Sequence, residues 1–127
     1  MGLTAVLKKK TRSFTSDVDL SCPDGQTRAL IGPSGSGKTT IIRMLAGLVT
    51  PDEGRIVYRD RVFFDSARGV NLPPQKRKLG YVFQDYSLFP HLTLYGNAAF
   101  AARDRGELDA LMGFFGLAEL RDRKPHQ

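Results

Sequence analysis

The sequence at residues 32–39 is Gly32-Pro33-Ser34-Gly35-Ser36-Gly37-Lys38-Thr39, which fits the pattern Gly-x-x-x-x-Gly-Lys-Thr. The apolar run at residues 27–31 before it is typical of a strand, and residues 40–46 after it carry apolar side chains at helical spacing. In this order the three segments form a cradle for polyphosphate, because backbone N–H groups and the helix N-terminus converge on the anion. The pattern therefore predicts a phosphate-binding loop in preference to an ordinary glycine-rich turn.

Four residues of this loop have types suited to particular tasks. The amine of Lys38 would reach the β- and γ-phosphates of a nucleotide, and Thr39 would offer its hydroxyl to Mg²⁺. Gly35 and Gly37 permit the unusual φ angles and close backbone approach that a side chain would obstruct. The loop is thus predicted to bind a nucleotide together with Mg²⁺.

Length and composition restrict the class of protein. The chain has 127 residues, enough for one small domain, with a net charge of +6 and a single cysteine. No apolar run approaches the length of a membrane span, and no signal-peptide core is present, so the chain is predicted to work on the cytosolic side. Cys22 alternates with Val18 and Leu20 and is interpreted as a buried strand residue, since no motif of a catalytic thiol surrounds it.

The positive charge raises the question of nucleic-acid binding. Three short basic runs lie far apart in the sequence, at residues 8–10, 76–78 and 121–124, and no aromatic residues are interleaved with them. Each run is interpreted as solvated surface charge, and nucleic acid is not expected as a partner. A basic nucleic-acid-binding module remains the alternative, and filter binding at two salt concentrations would separate it.

Local patterns also predict the strands and helices. Alternation predicts a half-buried strand at residues 17–22, and a tight hairpin joins residues 55–58 to 61–64. Residues 79–83 are predicted to form a second core strand that ends at Gln84. A first helix begins at Gly37 or Lys38 and stops at Gly47, and a second is capped by Thr93 and ends at Ala102. A third has one apolar face closed by Gly116, made of Leu108, Leu111, Met112 and Phe115.

Several of these stretches together resemble the ATP-binding cassette (ABC) transporter ATPases. Besides the loop at residues 32–39, the matching stretches are Leu45-Ala46-Gly47-Leu48, Pro51-Asp52-Glu53-Gly54, Gly80-Tyr81-Val82-Phe83-Gln84-Asp85 and Leu88-Phe89-Pro90-His91-Leu92-Thr93. The segment from Phe64 to Pro74 looks most like the ATPase subunits of molybdate importers. The resemblance disfavours a phosphate-loop protein of another class, such as a nucleotide kinase or GTPase, which stays as a second alternative.

The resemblance implies an α/β fold of the P-loop NTPase type. It has a RecA-like core and an antiparallel β subdomain within residues 1–92, and the beginning of a helical subdomain in residues 93–127. The family continues past a Pro-His-Gln stretch into its signature motif, and here Pro125-His126-Gln127 are the last residues given. The chain is therefore expected to be an N-terminal part of the ATPase, truncated before the signature, the Walker B carboxylates and the switch histidine, and inactive alone. His126 is not that switch histidine.

The resemblance also implies roles for individual residues. The residues expected to bind ATP are Gly32, Pro33, Ser34, Gly35, Ser36, Gly37, Lys38, Thr39 and Thr40, mostly through backbone N–H groups. Gln84 is expected to give a carbonyl oxygen to Mg²⁺ and to orient the attacking water, whereas the residue pattern alone also permits a polar strand end. The family stacks adenine on an aromatic residue before the loop, and Phe14 is either that residue or part of the core.

Partners follow from the same resemblance. The region with Tyr86, Leu88, Phe89 and His91 is expected to receive a coupling helix of the membrane-spanning permease subunits, and His91 is assigned no catalytic role. A second ATPase subunit is expected in a head-to-tail dimer. These features place the protein peripherally on the cytoplasmic face of the cell membrane, where it would couple ATP hydrolysis to import of a solute, an oxyanion such as molybdate.

Overall fold

The N-terminal strands form where polar and apolar side chains alternate. In the computed structural model, which describes residues 1–127, five strands make one antiparallel sheet in the order β2-β1-β3-β4-β5. The strands are β1 (Gly2–Lys10), β2 (Thr15–Pro23), β3 (Glu53–Tyr58), β4 (Arg61–Asp65) and β5 (Val70–Asn71). The sequence predicted the antiparallel β subdomain and the hairpin of β3 and β4, and both predictions are confirmed.

One face of this sheet is covered by the first helix, α1 (Lys38–Ala46). The hydrophobic core cluster contains Ala5 and Leu7 from β1, Met44 from α1, and Ile56, Phe63 and Phe64 from β3 and β4. Met44 is fully buried, so the helix presents its apolar face to the sheet and its first residue stands at the end of the predicted loop. The core thereby fixes the position of the helix that carries Lys38.

The end of α1 agrees with the predicted glycine stop. Gly47 has a φ of 83°, and its N–H donates to the carbonyl of Met44 at 3.1 Å. The next N–H, of Leu48, donates to the carbonyl of Arg43 at 2.9 Å, which completes a left-handed C-terminal cap. A Cβ at Gly47 would lie 2.7 Å from Nε of Arg77, so the site needs glycine for space as well as for conformation.

Arg77, at the end of the short helix α2 (Pro74–Arg77), is buried with only 2% of its surface exposed. The interpretation of residues 76–78 as solvated charge is therefore wrong for this residue. Its guanidinium donates to the carbonyls of Leu72 (2.8 Å), Met44 (2.9 Å) and Leu45 (2.7 Å), and to Oδ1 of Asn71 (3.4 Å). Burial lowers the pKa of the guanidinium, and main-chain carbonyls at the end of α1 offset part of that cost.

Two strands expected from the sequence are not formed. Residues 27–31 and 79–83 are not strands of the sheet, and Ile31 and Val82 are 94% and 95% exposed. A strand needs a neighbour for its N–H and C=O groups, and strands of parallel sheets also need cover on both faces. The apolar composition of the two segments suits such an environment.

The structure divides the chain into two units, Met1–Tyr81 and Val82–Gln127. The second contains α3 (Leu94–Ala101), α4 (Arg105–Phe114) and a 3₁₀ turn at Ala118–Leu120. Thr93 caps α3 as predicted, with its side chain accepting from the N–H of Gly96. The division at residue 92 expected for the family domain stays a prediction.

The apolar face predicted for the third helix is confirmed only in part. Leu108 and Met112 are buried in α4, whereas Leu111 and Phe115 are exposed. The N-terminal cap, which the sequence analysis did not identify, is Asp104, whose Oδ1 accepts from the N–H groups of Gly106 and Glu107. No helix of the chain has the length and apolar character needed to cross a lipid bilayer.

Candidate nucleotide-binding site

The predicted phosphate-binding loop leads directly into the N-terminus of α1. The N-cap residue is Gly37, with a φ of 92° and no side chain to accept from the first N–H groups of the helix. Gly35 also has a positive φ, of 80°, and a turn brings the N–H of Ser36 to 3.2 Å from the carbonyl of Pro33. An uncapped helix start beside a glycine-rich turn suits an anion, because its N–H groups lack intrahelical acceptors.

The ammonium group of Lys38 lies over this loop. Its Nζ donates to the carbonyl of Gly32 at 2.7 Å, to the carbonyl of Pro33 at 2.6 Å and to Oγ of Ser36 at 3.2 Å. These acceptors are neutral, so the positive charge has no carboxylate partner. A phosphate above the loop would meet both this charge and the helix N-terminus.

Phe14 precedes β2 and packs against the loop rather than in the core cluster. A Cβ added at Gly37 would lie 2.6 Å from Cε2 of Phe14 and 3.2 Å from Oγ of Ser16. A cavity of about 280 Å³ lies beside this contact, lined by the ring and by Gly35 and Ser36. Of the two interpretations of Phe14, the position against the loop favours a place beside a bound nucleotide.

The remaining predicted ligands in the first unit are two threonines of α1. Thr39 is exposed and Thr40 is half-buried, both in the first turn of the helix. A single hydroxyl fits Mg²⁺, which keeps several waters and is held largely by the phosphates of its nucleotide. The residues present therefore fit ATP with Mg²⁺, and Thr39 is the side chain suited to the metal.

Gln84 lies in the second unit, outside any helix or strand, and is exposed. The predicted strand that would end at this residue is not formed. Its backbone is thus not fixed by a sheet, and its expected contact with Mg²⁺ and water stays a prediction.

The predicted partner region follows Gln84 as a loop without regular structure. Tyr86 and His91 are exposed, and Leu88 is 53% and Phe89 39% exposed. The Phe89 ring lies 4.8 Å from the ring of Phe100 and 5.9 Å from that of His91, measured between centroids. A cavity of about 630 Å³ beside the loop is lined by Leu88 and Phe89 among others. The loop therefore exposes apolar surface of the kind a protein partner could cover.

Sequence reasoning missed Asn97, in the middle of α3. Its side-chain amide bonds both the N–H and the C=O of Phe89, at 2.7 Å and 3.1 Å. It also donates to the carbonyls of Leu92 at 3.3 Å and Thr93 at 3.0 Å. No sequence pattern predicts this role, because the sequence of a helix does not distinguish such an asparagine from a solvent-exposed polar residue.

Comparison with known proteins assigns the family. The model of the ABC transporter family matches residues 15–127. The chain belongs to the ABC transporter family. Among curated relatives of this ABC chain, the molybdenum import ATP-binding protein ModC of Vibrio parahaemolyticus is 47% identical over 120 residues, covering 92% of the chain and 33% of that relative. ModC of Rhodospirillum rubrum is 52% identical over 104 residues, covering 76% and 28%.

The ABC chain thus spans about a third of the length of these curated relatives, and the match covers most of the chain itself.

Solved structures agree with the fold. The ATP-binding cassette MJ0796, in a dimeric post-hydrolysis state bound to ADP and Pi, superposes with a TM-score of 0.71 at 25% identity, over 98% of this chain and 62% of that one. An ATP-binding subunit of an ABC transporter superposes with a TM-score of 0.77 at 24% identity, over 100% and 55%. The predicted fold class is confirmed.

Proposed function

We infer that the chain is the ATP-binding part of an ABC-type ATPase that couples ATP hydrolysis to the import of a solute, with molybdate as the oxyanion carried. The observation behind this proposal is the uncapped N-terminus of α1 beside the ammonium of Lys38, whose hydrogen-bond acceptors in the loop are all neutral. The identity to ModC proteins supports the importer class and the choice of molybdate. In the complete domain, residues 1–92 would belong to the core and β subdomain and residues 93–127 to the helical subdomain.

The residues of the loop would act on the nucleotide by position and charge. The N–H groups at residues 34–40 would bind the phosphate oxygens. Lys38 would leave the loop carbonyls that it bonds here and bind the β- and γ-phosphates instead. Mg²⁺ would neutralise charge on the phosphates, with Thr39 as its protein ligand. The ring of Phe14, already against the loop, would pack beside the base or sugar.

Gln84 would hold the attacking water and not deprotonate it, because an amide is neutral and a poor base. Catalysis of phosphoryl transfer depends mainly on positioning and on stabilising charge. For this reason Gln84 and Lys38 are the two residues of the chain proposed to act in hydrolysis, which would need the remaining part of the domain and a second ATPase subunit.

We expect Lys38→Ala to weaken binding of Mg-ATP by about tenfold to a hundredfold, because charge-assisted hydrogen bonds contribute about 1.5–3 kcal/mol each. Isothermal titration calorimetry on the chain measures the change directly. Lys10→Ala removes an exposed lysine of β1 and serves as the matched control, with parental affinity expected. Equal affinity of the parent and Lys38→Ala would contradict the proposed site.

The loop around Phe89 would attach the protein to its membrane-spanning subunits and so hold it at the cytoplasmic face of the membrane. Its exposed apolar side chains suit a partner helix, and burial of one ring contributes about 1.5–3 kcal/mol. Attachment through a partner needs neither a membrane span nor a lipid group on the chain itself.

Phe89→Ala is expected to reduce recovery of the complex with the permease subunits about tenfold or more, with ATP affinity nearly unchanged. Co-purification from detergent at several salt concentrations measures the loss. Phe114→Ala removes an equally large exposed ring from α4 and is the control. The docking assignment fails if recovery survives Phe89→Ala, Leu88→Ala and the double variant.

A further inference from the structure

The loop at residues 89–93 has no helix or strand of its own, yet its backbone is held at several points. One turn of its own closes it, with the N–H of Leu92 donating to the carbonyl of Phe89 at 3.2 Å. The other contacts to its backbone polar groups come from the single side chain of Asn97 and from α3 itself. Most of the hydrogen bonds from outside the loop to its backbone therefore come from one amide group.

The geometry requires an asparagine amide and no other group of the same shape. Oδ1 accepts from the N–H of Phe89 at 2.7 Å, which fixes the orientation of the amide. Nδ2 then faces three carbonyl oxygens, of Phe89, Leu92 and Thr93, at 3.0–3.3 Å. A carboxylate in the same place could still accept from Phe89, but it would face the three carbonyls without a proton to donate.

Both backbone groups of Phe89 are occupied by this amide, so the Asn97 side chain pairs with Phe89 as a neighbouring strand would. The main chain at Phe89 sets the direction of its ring, which rests against the rings of Phe100 and His91 and is partly exposed. Asn97 itself is half-buried and lies in α3.

We propose that Asn97 is a positioning residue that holds the loop at residues 89–93 in the shape in which Phe89 and Leu88 engage the membrane-spanning subunits. The proposal rests on the proposed function, since it assumes that this loop is the docking surface. The preformed loop lowers the cost of association, because the ordering entropy has been met before the partner arrives. The proposed effect of Asn97 is therefore on assembly with the partner.

The test compares three variants with a readout on the loop itself. In Asn97→Ala, which removes both the acceptor and the donor, the Phe89 amide is expected to exchange with solvent about tenfold faster or more, measured by NMR on the chain. Asn97→Asp keeps an acceptor for the N–H of Phe89 but loses the bonds to the three carbonyls, so a smaller increase is expected. Asp104→Ala is the matched control, because it removes the N-terminal cap of α4 without touching the loop. Unchanged exchange at Phe89 in both Asn97 variants overturns the proposal.

The second readout is assembly with the permease subunits. Both Asn97 variants are expected to lower recovery of the complex about tenfold, with ATP affinity unchanged and Asp104→Ala behaving as the parent. Parental recovery in the Asn97 variants, with loss in Phe89→Ala, overturns the positioning role and leaves the docking surface standing. Equal loss in Asp104→Ala overturns it as well, since general helix stability then explains the effect. If Phe89→Ala is also silent, the docking surface itself is wrong, while the Lys38→Ala titration judges the nucleotide site separately.

Discussion

Replacement of Arg77 by methionine is expected to lower the free energy of unfolding by about 3–5 kcal/mol. The substitution keeps much of the side-chain volume but leaves the part-buried carbonyls of Leu72 and Leu45 without the donor that Arg77 supplies, and the carbonyl of Met44 keeps only the N–H of Gly47. Each buried acceptor left unsatisfied costs about 1–3 kcal/mol, and the total is a large part of the 5–15 kcal/mol typical of a whole domain. Urea unfolding followed by circular dichroism measures the change.

Two further variants separate charge from geometry at this site. Arg77→Lys keeps a positive charge but has no planar fork to reach three carbonyls, so an intermediate loss is expected. Lys76→Met, one residue earlier and exposed, should change stability by no more than about 0.5 kcal/mol. A loss below 1 kcal/mol in Arg77→Met would show that the carbonyls find other donors and that the buried guanidinium is dispensable.

Gly37→Ala is the second change for which we expect a large effect, about 2–5 kcal/mol of stability and most of the affinity for ATP. A φ of 92° is strained for alanine, and the new Cβ would lie 2.6 Å from Cε2 of Phe14. Relief of the backbone strain or of the contact with Phe14 would move the backbone at the start of α1, whose N–H groups are proposed to bind phosphate. Thermal unfolding and calorimetry with Mg-ATP measure the two effects.

Gly35→Ala is the natural comparison, because Gly35 has a similar φ of 80° but no atom within 4 Å of the added Cβ. Gly35→Ala adds backbone strain without a close contact, so it should lose less stability than Gly37→Ala. Phe14→Ala in the Gly37→Ala background should restore part of the difference, since it removes the atoms that the Cβ meets. Identical losses for Gly35→Ala and Gly37→Ala, with no recovery in the double variant, would show that the contact with Phe14 does not matter.

Local signals gave the parts of the fold that local chemistry determines. Gly47 ends α1 and Thr93 begins α3 because left-handed φ and side-chain capping are properties of a few adjacent residues. The strands expected at residues 27–31 and 79–83 failed for the opposite reason. An apolar run shows that a segment suits a sheet, but neighbouring strands decide whether it joins one.

The candidate site divides along the same line. The loop at residues 32–39 was predictable because its spacing is a local pattern with a geometric meaning. The role of Arg77 was not, since its acceptor Met44 lies 33 residues away and no periodicity relates the two. The role of Asn97 was not predictable either, because its hydrogen-bond partners lie in the loop before its own helix and no sequence pattern relates them.

Gly47 lies close to Arg77 although the two positions are far apart in the sequence, so substitutions at one are expected to affect which residues the other tolerates. A residue larger than glycine at 47 displaces the guanidinium, and a smaller residue at 77 leaves room that glycine cannot fill. A library that randomises one position at a time would therefore record both as intolerant. A double variant with alanine at 47 and a shorter side chain at 77 is expected to lose less stability than the sum of the losses in the two single variants. Paired substitution is therefore the route by which both positions could change.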